Sequence, residues 1–244
     1  MLKLLTHNYF FLSRQEVWFF NDENIDQYSY NVYSACENKP ADQVEYLTFY
    51  HTSYIDLSKA KDVLHNNICE TFRYDIRKGE TEKFHFKPIQ YPSTNDCRQL
   101  INSFNFFAKT KNIQLISKRR IYALHLLNRL YITKIFYQDS EVATHVYLFD
   151  DTKILLLHSF HHFSTIDDRL RGYANKLLHW QDILLFKEKG LLTYDWGGID
   201  LEQFPGISNF KLNFGGNIQQ QYSYIRTSPA IHFLSSIYKR MNGQ

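Results

Sequence analysis

The stretch RLRGYAN, residues Arg169 to Asn175, lies between an aliphatic segment, 154–160, and an amphipathic pattern that continues to about Lys189. The aliphatic segment predicts a buried β-strand, and the pattern after it predicts an α-helix. A helix start exposes unpaired N–H groups and a partial positive charge, and small residues there let the backbone approach a diphosphate. Arg169 and Arg171 add forked donors that match phosphate oxygens. The stretch therefore predicts that the helix opens at Gly172 and holds a phosphate site at its start.

Strand and helix patterns occur on both sides of this stretch in an irregular order. Predicted strands cover residues 15–20, 44–50, 84–91, 132–137, 143–149, 154–160, 191–196 and 221–226. Predicted helices run from Asp56 to about Gly79, from Asn95 past Phe107, over 117–130, up to about Lys189, and from Ser228-Pro229 onwards. Hairpin-spaced strands mixed with helices predict an α+β fold and not the strict alternation of a parallel α/β fold.

The two parts of the chain share a rhythm of strands and helices, which permits a duplicated domain. We place the boundary near Lys109 to Asn112. This divides the chain into 1–110 and 111–244, each a mixed, mostly antiparallel sheet flanked by helices. A single continuous domain is the alternative.

Bulk composition limits the class of protein. The 244 residues are 44% hydrophobic and 22% charged, which excludes a mainly disordered chain. A net charge of +3 lacks the basic excess of a dedicated nucleic-acid binder. Cys36, Cys69 and Cys97 are widely spaced and predict reduced thiols. No secretory signal is legible, and the longest aliphatic run, 154–157, is too short for a bilayer. We expect a cytoplasmic monomer or dimer without a membrane span.

The spacing Arg-x-x-Gly-x-Ala at Arg169, Gly172 and Ala174 resembles the acyl-CoA diphosphate signature of the GNAT superfamily. The sequence from residue 154 to residue 226 resembles the C-terminal half of Fem-family proteins. These proteins are GNAT-like transferases related to sugar N-acyltransferases, and the family is named for enzymes that add amino acids to peptidoglycan precursors. The segments that carry this resemblance are 174–180, Lys189-Gly190, 194–198, Gly206-Ile207, Phe210-Lys211 and 214–216. The resemblance implies two tandem GNAT-like halves and coenzyme A held by Phe160, His162, Arg169, Arg171, Gly172, Tyr173, Ala174 and Asn175.

Two departures from the family guide the choice of donor. Members that use aminoacyl-tRNA often carry a long coiled-coil arm, and no such heptad run appears in this sequence. Affinity for tRNA also needs a broad basic surface, because it comes largely from counterion release. A chain at +3 favours acyl-CoA as the donor and no nucleic-acid partner.

The chemistry that the resemblance implies is direct acyl transfer at a strand edge. Two central strands would splay, and the strand 155–160, continuing to His162, would offer its backbone N–H groups to the oxyanion. Asp195 ranks first as general base, since it ends a strand before two glycines. The alternative bases are His158, His161 and His162.

Other side chains complete the predicted site. Tyr194 or Tyr173 would protonate the leaving thiolate, and Trp196, Gly197 and Lys211 would contact the acceptor. The histidines lack a His-Glu-x-x-His pattern and a third ligand, so we predict no metal.

The implied function is an N-acyltransferase that moves an acyl group from acyl-CoA to the amine of a nucleotide-linked amino sugar for lipopolysaccharide or a related surface glycan. The first alternative is an aminoacyl-tRNA-dependent peptidyltransferase that acts on a peptidoglycan precursor. The second alternative is a non-catalytic ligand-binding protein of the same fold.

Overall fold

The computed structural model describes residues 1–9, 12–19, 28–40, 44, 46–162, 166–228 and 231. Strands and helices alternate irregularly, which confirms the predicted α+β class. The strands are β1 (Leu2–Tyr9), β2 (Leu12–Trp18), β3 (Tyr30–Cys36), β4 (Tyr46–Asp56), β5 (Phe84–Gln90), β6 (Leu130–Tyr137), β7 (Ser140–Phe149), β8 (Lys153–His161), β9 (Thr193–Ile199) and β10 (Asn217–Thr227). The helices are α1 (Lys61–Asn67), α2 (Glu70–Thr81), α3 (Thr94–Lys111), α4 (Lys118–Leu126), α5 (Asp168–Glu188) and α6 (Pro205–Leu212).

Contacts divide the chain into two compact units, Thr52–Gln219 and a smaller one made of Met1–His51 with Gln220–Gln244. In the smaller unit, β2 pairs antiparallel with β1 and parallel with β3, and β3 pairs antiparallel with β10. Its core contains Val17, Cys36 and a stacked pair, Tyr33 and Tyr224, whose ring centroids lie 4.5 Å apart. The helix predicted from Ser228-Pro229 onwards falls outside the described residues.

The larger unit is a sheet in the order β4-β9-β8-β7-β6-β5 with helices on both faces. Neighbours from β5 to β8 are antiparallel, whereas β8 and β9 are parallel. Helix α5 covers one face and buries Leu177, Leu178, Ile183 and Phe186 against it. Helix α3 covers the other face at β8, where Phe104 meets Phe160. No helix among the described residues is long and apolar enough to cross a bilayer.

Serine side chains cap the starts of two helices in the larger unit. Ser93 accepts a hydrogen bond from the Asp96 N–H at 3.2 Å and forms a capping box with that residue. Ser117 caps α4 in the same way. Such caps stabilise a helix start because they satisfy backbone donors that lack an intrahelical acceptor.

Tertiary contacts change the element bounds elsewhere. The helix predicted from Asp56 is wrong in its continuity, because it divides into α1 and α2 at Ile68. Ile68 is buried in an extended conformation, and the next amide, that of Cys69, donates to the Asn213 carbonyl oxygen at 2.9 Å. The segment Pro205–Leu212, for which the sequence predicted no helix, is helix α6.

The predicted boundary between residues 110 and 111 lies at the end of α3, inside the larger unit. The contact division falls instead at Thr52 and Gln219. A duplicated origin of the two halves stays a prediction.

Gly215 offers a test of the packing in the larger unit. Its φ is +81°, and an added Cβ would lie 2.4 Å from the Asn67 carbonyl oxygen, so Gly215→Ala should lower the free energy of unfolding by about 3 kcal/mol. The control is Gly206→Ala in α6, where no atom lies within 4 Å and the change should be neutral or stabilising by up to about 1 kcal/mol. Urea denaturation measures both, and equal stability of the two variants would contradict this packing.

Candidate active site

Strands β8 and β9 run side by side for only three residue pairs, from Lys153 with Thr193 to Leu155 with Asp195. Beyond that point β8 continues to His161, and both strands are described to their ends without another paired position. On its other edge β8 stays paired with β7 as far as His161. The pairing of β8 with β9 therefore ends at Leu155, and the Leu156 carbonyl oxygen still lies beside Gly197, where an added Cβ would be 3.2 Å from it.

An irregularity in each strand accompanies this separation. In β9, Gly197 has a φ of +69° and donates its N–H to the Asp195 carboxylate at 2.8 Å. The Thr52 hydroxyl contacts that carboxylate and also lies 2.8 Å from the Gly197 carbonyl oxygen. In β8, the register with β7 shifts between Leu156 and His158, which is a β-bulge. A bulge bends its strand and increases its twist, so the two strands diverge.

The separation opens a cleft of about 380 Å³. Because the bulge shifts the strand's alternation, β8 residues on both sides of it face this cleft. The opposite walls come from α5, β9 and α6. Its lining consists of Leu156, Ser159, His161, Asn175, His179, Trp196, Gly206, Ile207, Phe210 and Lys211.

Several buried polar atoms of this lining have no hydrogen-bond partner in the described part of the chain. They are His161 Nδ1, Asn175 Oδ1, His179 Nδ1 and Trp196 Nε1. Leaving a buried donor or acceptor unpaired costs about 1–3 kcal/mol. The side chains around the cleft therefore retain hydrogen-bonding groups that other described residues do not satisfy.

Burial controls the protonation of the ionisable lining groups. It lowers the pKa of Lys211 to about 8, against the opposing attraction of Asp195. The Lys211 ammonium donates to the Gly198 carbonyl oxygen at 2.7 Å. Burial and nearby cationic groups lower the pKa of His161 to about 4, and burial takes that of His179 well below its usual range. Near neutral pH the cleft holds two neutral imidazoles and an amine close to its titration point.

A buried hydrogen-bonded cluster lies behind His179. His145 Nδ1 lies 2.7 Å from Asp182 Oδ2, and the Tyr147 hydroxyl donates to the same oxygen at 2.6 Å. Tyr147 also contacts the Tyr194 hydroxyl at 3.0 Å. Burial and Asp182 raise the pKa of both phenols well above the usual range.

His145, His179 and Asp182 are the residues of this cluster that offer metal-ligand atoms within 4.8 Å of one another. The two imidazole rings stack, with centroids 4.0 Å apart and planes at 29°. Ring lone pairs lie in the ring plane, so those of stacked rings run side by side and do not converge on one ion. This geometry favours a hydrogen-bonded network over a metal centre.

The predicted phosphate site differs from the structure in where its helix begins. Helix α5 starts at Asp168 and not at Gly172, and its N-cap residue Asp167 accepts the Leu170 N–H at 2.8 Å. The Arg171 N–H already donates to the Asp167 carbonyl oxygen at 3.0 Å. Amides from Gly172 onwards lie inside the helix, where backbone carbonyls accept them. The prediction that the helix opens at Gly172 is wrong.

Two carboxylates occupy this helix start. Asp167 and Asp168 complement the positive end of the helix dipole, which is the place a phosphate would take. Arg171 pairs with Asp168 at 2.6 Å and donates to the Ile166 carbonyl oxygen at 3.2 Å. Arg169 is exposed. Of the other predicted donor residues on α5, Gly172 and Tyr173 are half-buried, Ala174 is buried and Asn175 lines the cleft.

The predicted catalytic residues of β9 lie beside the cleft and not in its lining. Asp195 is fully buried, with its carboxylate engaged by Thr52 and Gly197. Tyr194 is also fully buried and bonds to Tyr147. This geometry favours structural roles for both. The predicted acceptor residues Trp196 and Lys211 line the cleft, whereas Gly197 forms the kink of β9.

The remaining predicted residues lie on the opposite face of β8. His158 packs on Phe104 with ring centroids 4.4 Å apart, and burial lowers its pKa to about 4. Phe160 packs against the same helix, and His162 lies 2.7 Å from a Glu141 carboxylate oxygen. Because the bulge shifts the alternation of β8, these residues lie on the face that points away from the cleft between β8 and β9.

Sequence reasoning missed His179 as a cleft residue. The signal for it was present, because Asn175, His179 and Asp182 recur at helical spacing on the face that α5 buries. It was hidden among the apolar residues of that face. His161, which was one of several alternative bases, lines the cleft.

Comparisons with known proteins identify the architecture. No protein-family model and no curated protein matches the chain. The solved structure of FemX superposes with a TM-score of 0.59 at 12% identity, covering 75% of this chain and 63% of FemX. The chain therefore shares the fold of FemX, which we call the Fem-type fold. It spans less than two thirds of the length of FemX.

Two further structures share this Fem-type fold. One is the C-terminal domain of a protein named as a lysylphosphatidylglycerol synthetase from Agrobacterium fabrum, with a TM-score of 0.54 at 9% identity, covering 86% of this chain and 72% of that one. The other is L-PGS from Bacillus licheniformis, with a TM-score of 0.54 at 13% identity, covering 88% and 73%. Identities this low establish the fold alone.

The hydrogen bonds of Asp195 predict a loss of stability when its carboxylate is removed. Asp195→Ala leaves the Gly197 N–H without its acceptor and leaves the Thr52 hydroxyl with the Gly197 carbonyl oxygen alone, which should cost about 1–3 kcal/mol of unfolding free energy. Urea denaturation of this variant, of Thr52→Val and of the double variant measures the coupling. A fully stable Asp195→Ala protein that has lost turnover would instead support the catalytic role first predicted.

Proposed function

We propose that the protein is a Fem-type aminoacyltransferase that moves an aminoacyl group from charged tRNA to an amine of a peptidoglycan precursor. The observation that carries this proposal is the parting of β8 and β9 beyond Leu155, which opens a cleft with unpaired buried polar groups. An open strand edge beside a partly buried amine is suited to acyl transfer, because it supplies backbone donors for an oxyanion and a proton acceptor. The Fem-type fold supports the same conclusion.

The start of α5 favours an aminoacyl ester over acyl-CoA. Coenzyme A carries a diphosphate that needs donors and positive charge, whereas Asp167 caps this helix start and Asp168 engages Arg171. The ester at the 3′ end of charged tRNA brings no diphosphate to this position. A nucleotide-linked sugar as acceptor has no comparable support, so the tRNA-dependent reaction replaces our first expectation.

The cleft also suits the amino group of an aminoacyl donor. The unpaired Asn175 Oδ1 is an acceptor, and His161 and His179 are neutral imidazoles with lone pairs to offer. An α-ammonium group carries three donors that such acceptors can bind. An unsubstituted acyl chain would leave Asn175 unpaired.

In this proposal Lys211 moves the proton of the reaction. The attacking amine must lose a proton as its nitrogen bonds to the ester carbonyl carbon, and the ribose oxygen must gain one as the carbon–oxygen bond breaks. With a pKa of about 8, Lys211 has a neutral fraction near neutral pH that can accept the first proton and then return it to the leaving oxygen. The backbone N–H groups of β8 beyond Leu155 serve the oxyanion between these steps.

A donor competition tests the proposal. Purified protein with a mixture of radiolabelled aminoacyl-tRNAs and a nucleotide-linked muramyl pentapeptide should yield an acceptor with the mass of one added amino acid. Acetyl-CoA with the same acceptor should release no thiol. Thiol release that depends on the acceptor, with no transfer from tRNA, would overturn the assignment of the donor.

The lowered pKa of Lys211 predicts the pH dependence of turnover. Because the neutral amine is the active form, kcat should rise with pH through about 8 and then level off. Lys211→Ala should lower kcat about 100-fold and abolish this rise. The control is Lys176→Ala, which removes a cation paired with Asp75 at 3.0 Å and should leave the pH profile unchanged. A Lys211→Ala enzyme with the wild-type profile would exclude Lys211 as the base.

A further inference from the structure

The charge of this chain is unevenly distributed. The segment 97–138 contains eight arginines and lysines and no acidic residue, although the whole chain is only +3. Two of the eight, Arg129 and Lys134, form ion pairs with Asp151 and Glu141. Five others lie within twelve residues, from the last turn of α3 to the first turn of α4. They are Lys109, Lys111, Lys118, Arg119 and Arg120.

Exposed apolar side chains lie in the same place. Phe106 on α3 is 62% exposed, and Ile113 and Leu115 in the connection to α4 are each 49% exposed. Lys109, Lys111, Lys118 and Arg119 are exposed as well. We name residues 106–120 the basic turn.

The fold holds these side chains outward. Asn112 ends α3 in the left-handed conformation, and the Ile113 N–H donates to the Ala108 carbonyl oxygen at 3.0 Å. Ile116 is buried, and its N–H donates to the Asn105 side chain at 3.0 Å. The connection is anchored at both ends, so the exposure of Ile113 and Leu115 belongs to its folded conformation.

We propose that the basic turn docks on the surface of an anionic lipid bilayer. Lysines near such a surface are attracted to anionic headgroups, while apolar side chains between them enter the boundary between headgroups and acyl chains. A nucleic acid would use the same cations, but its phosphate backbone offers no partner for Phe106, Ile113 and Leu115. The combination of charge and apolar exposure therefore favours lipid.

A second cleft connects the basic turn with the active site. This cleft, of about 400 Å³, is lined by Asn102, Ser103, Phe106, Phe107, His161 and His162. Phe106 belongs to the basic turn, and His161 also lines the cleft between β8 and β9. Docking through the basic turn would bring the active cleft close to the bilayer surface.

Vesicle sedimentation with the full chain tests the proposal. The protein should bind vesicles of phosphatidylcholine and phosphatidylglycerol in equal parts and should not bind phosphatidylcholine alone. Lys109→Gln with Lys111→Gln should weaken binding about 25-fold, at about fivefold for each lysine. Ile113→Glu with Leu115→Glu should abolish binding. The control is Val63→Glu on α1, outside the basic turn, which places a negative charge at a side chain that is 45% exposed and should bind like the wild type.

Three outcomes would overturn the proposal: no binding to the anionic vesicles, binding that Ile113→Glu with Leu115→Glu leaves intact, or an equal loss in Val63→Glu. Melting temperatures of the variants show that each is folded. Filter binding of uncharged tRNA distinguishes nucleic-acid phosphates from lipid headgroups as the partner of the basic turn. A protein that binds tRNA through the basic turn and does not bind vesicles has a nucleic-acid surface there. Transfer to a water-soluble acceptor reports on the proposed function independently.

Discussion

The hydrogen bond from the Gly197 N–H to the Asp195 carboxylate holds the kink on which the cleft depends. It holds the positive φ of Gly197 in β9 at the level where β8 has its bulge, so the two strands do not continue to pair. Two strands that had continued in register would have satisfied each other's backbone groups and left no opening. The backbone groups of β8 beyond Leu155 are available to a ligand because this pairing ends early.

The walls of the cleft derive their chemistry from burial. A lysine in water is almost fully protonated at neutral pH, whereas removal of solvent lowers the pKa of Lys211 to about 8. The same loss of solvent keeps His161 and His179 neutral. Behind them, the bonds of Asp182 to His145 and Tyr147 fix α5 against the sheet. The cleft therefore combines an amine of lowered pKa with unpaired polar groups, next to a buried hydrogen-bonded cluster.

The start of α5 distinguishes this cleft from a diphosphate site of the kind that the sequence resembles. The spacing of Arg169, Gly172 and Ala174 is present, but the helix begins one turn earlier, and Asp167 accepts hydrogen bonds from the amides of Leu170 and Arg171. A motif of this kind functions only if its amides are free. The position of the helix start is therefore the observation on which our proposal of charged tRNA as the donor rests.

The sequence by itself determined the α+β class and the aliphatic strands, because these depend on local periodicity and side-chain type, and its resemblance to the Fem family agrees with the fold shared with FemX. It also pointed to Trp196, Asn175 and Lys211, which line the cleft. Only the tertiary structure decided that Asp195 supports the kink, that His158 and Phe160 face away and that His179 faces in. The reason is that one bulge in β8 reverses which residues share a face, and its position follows from pairing with β7 and not from any local pattern.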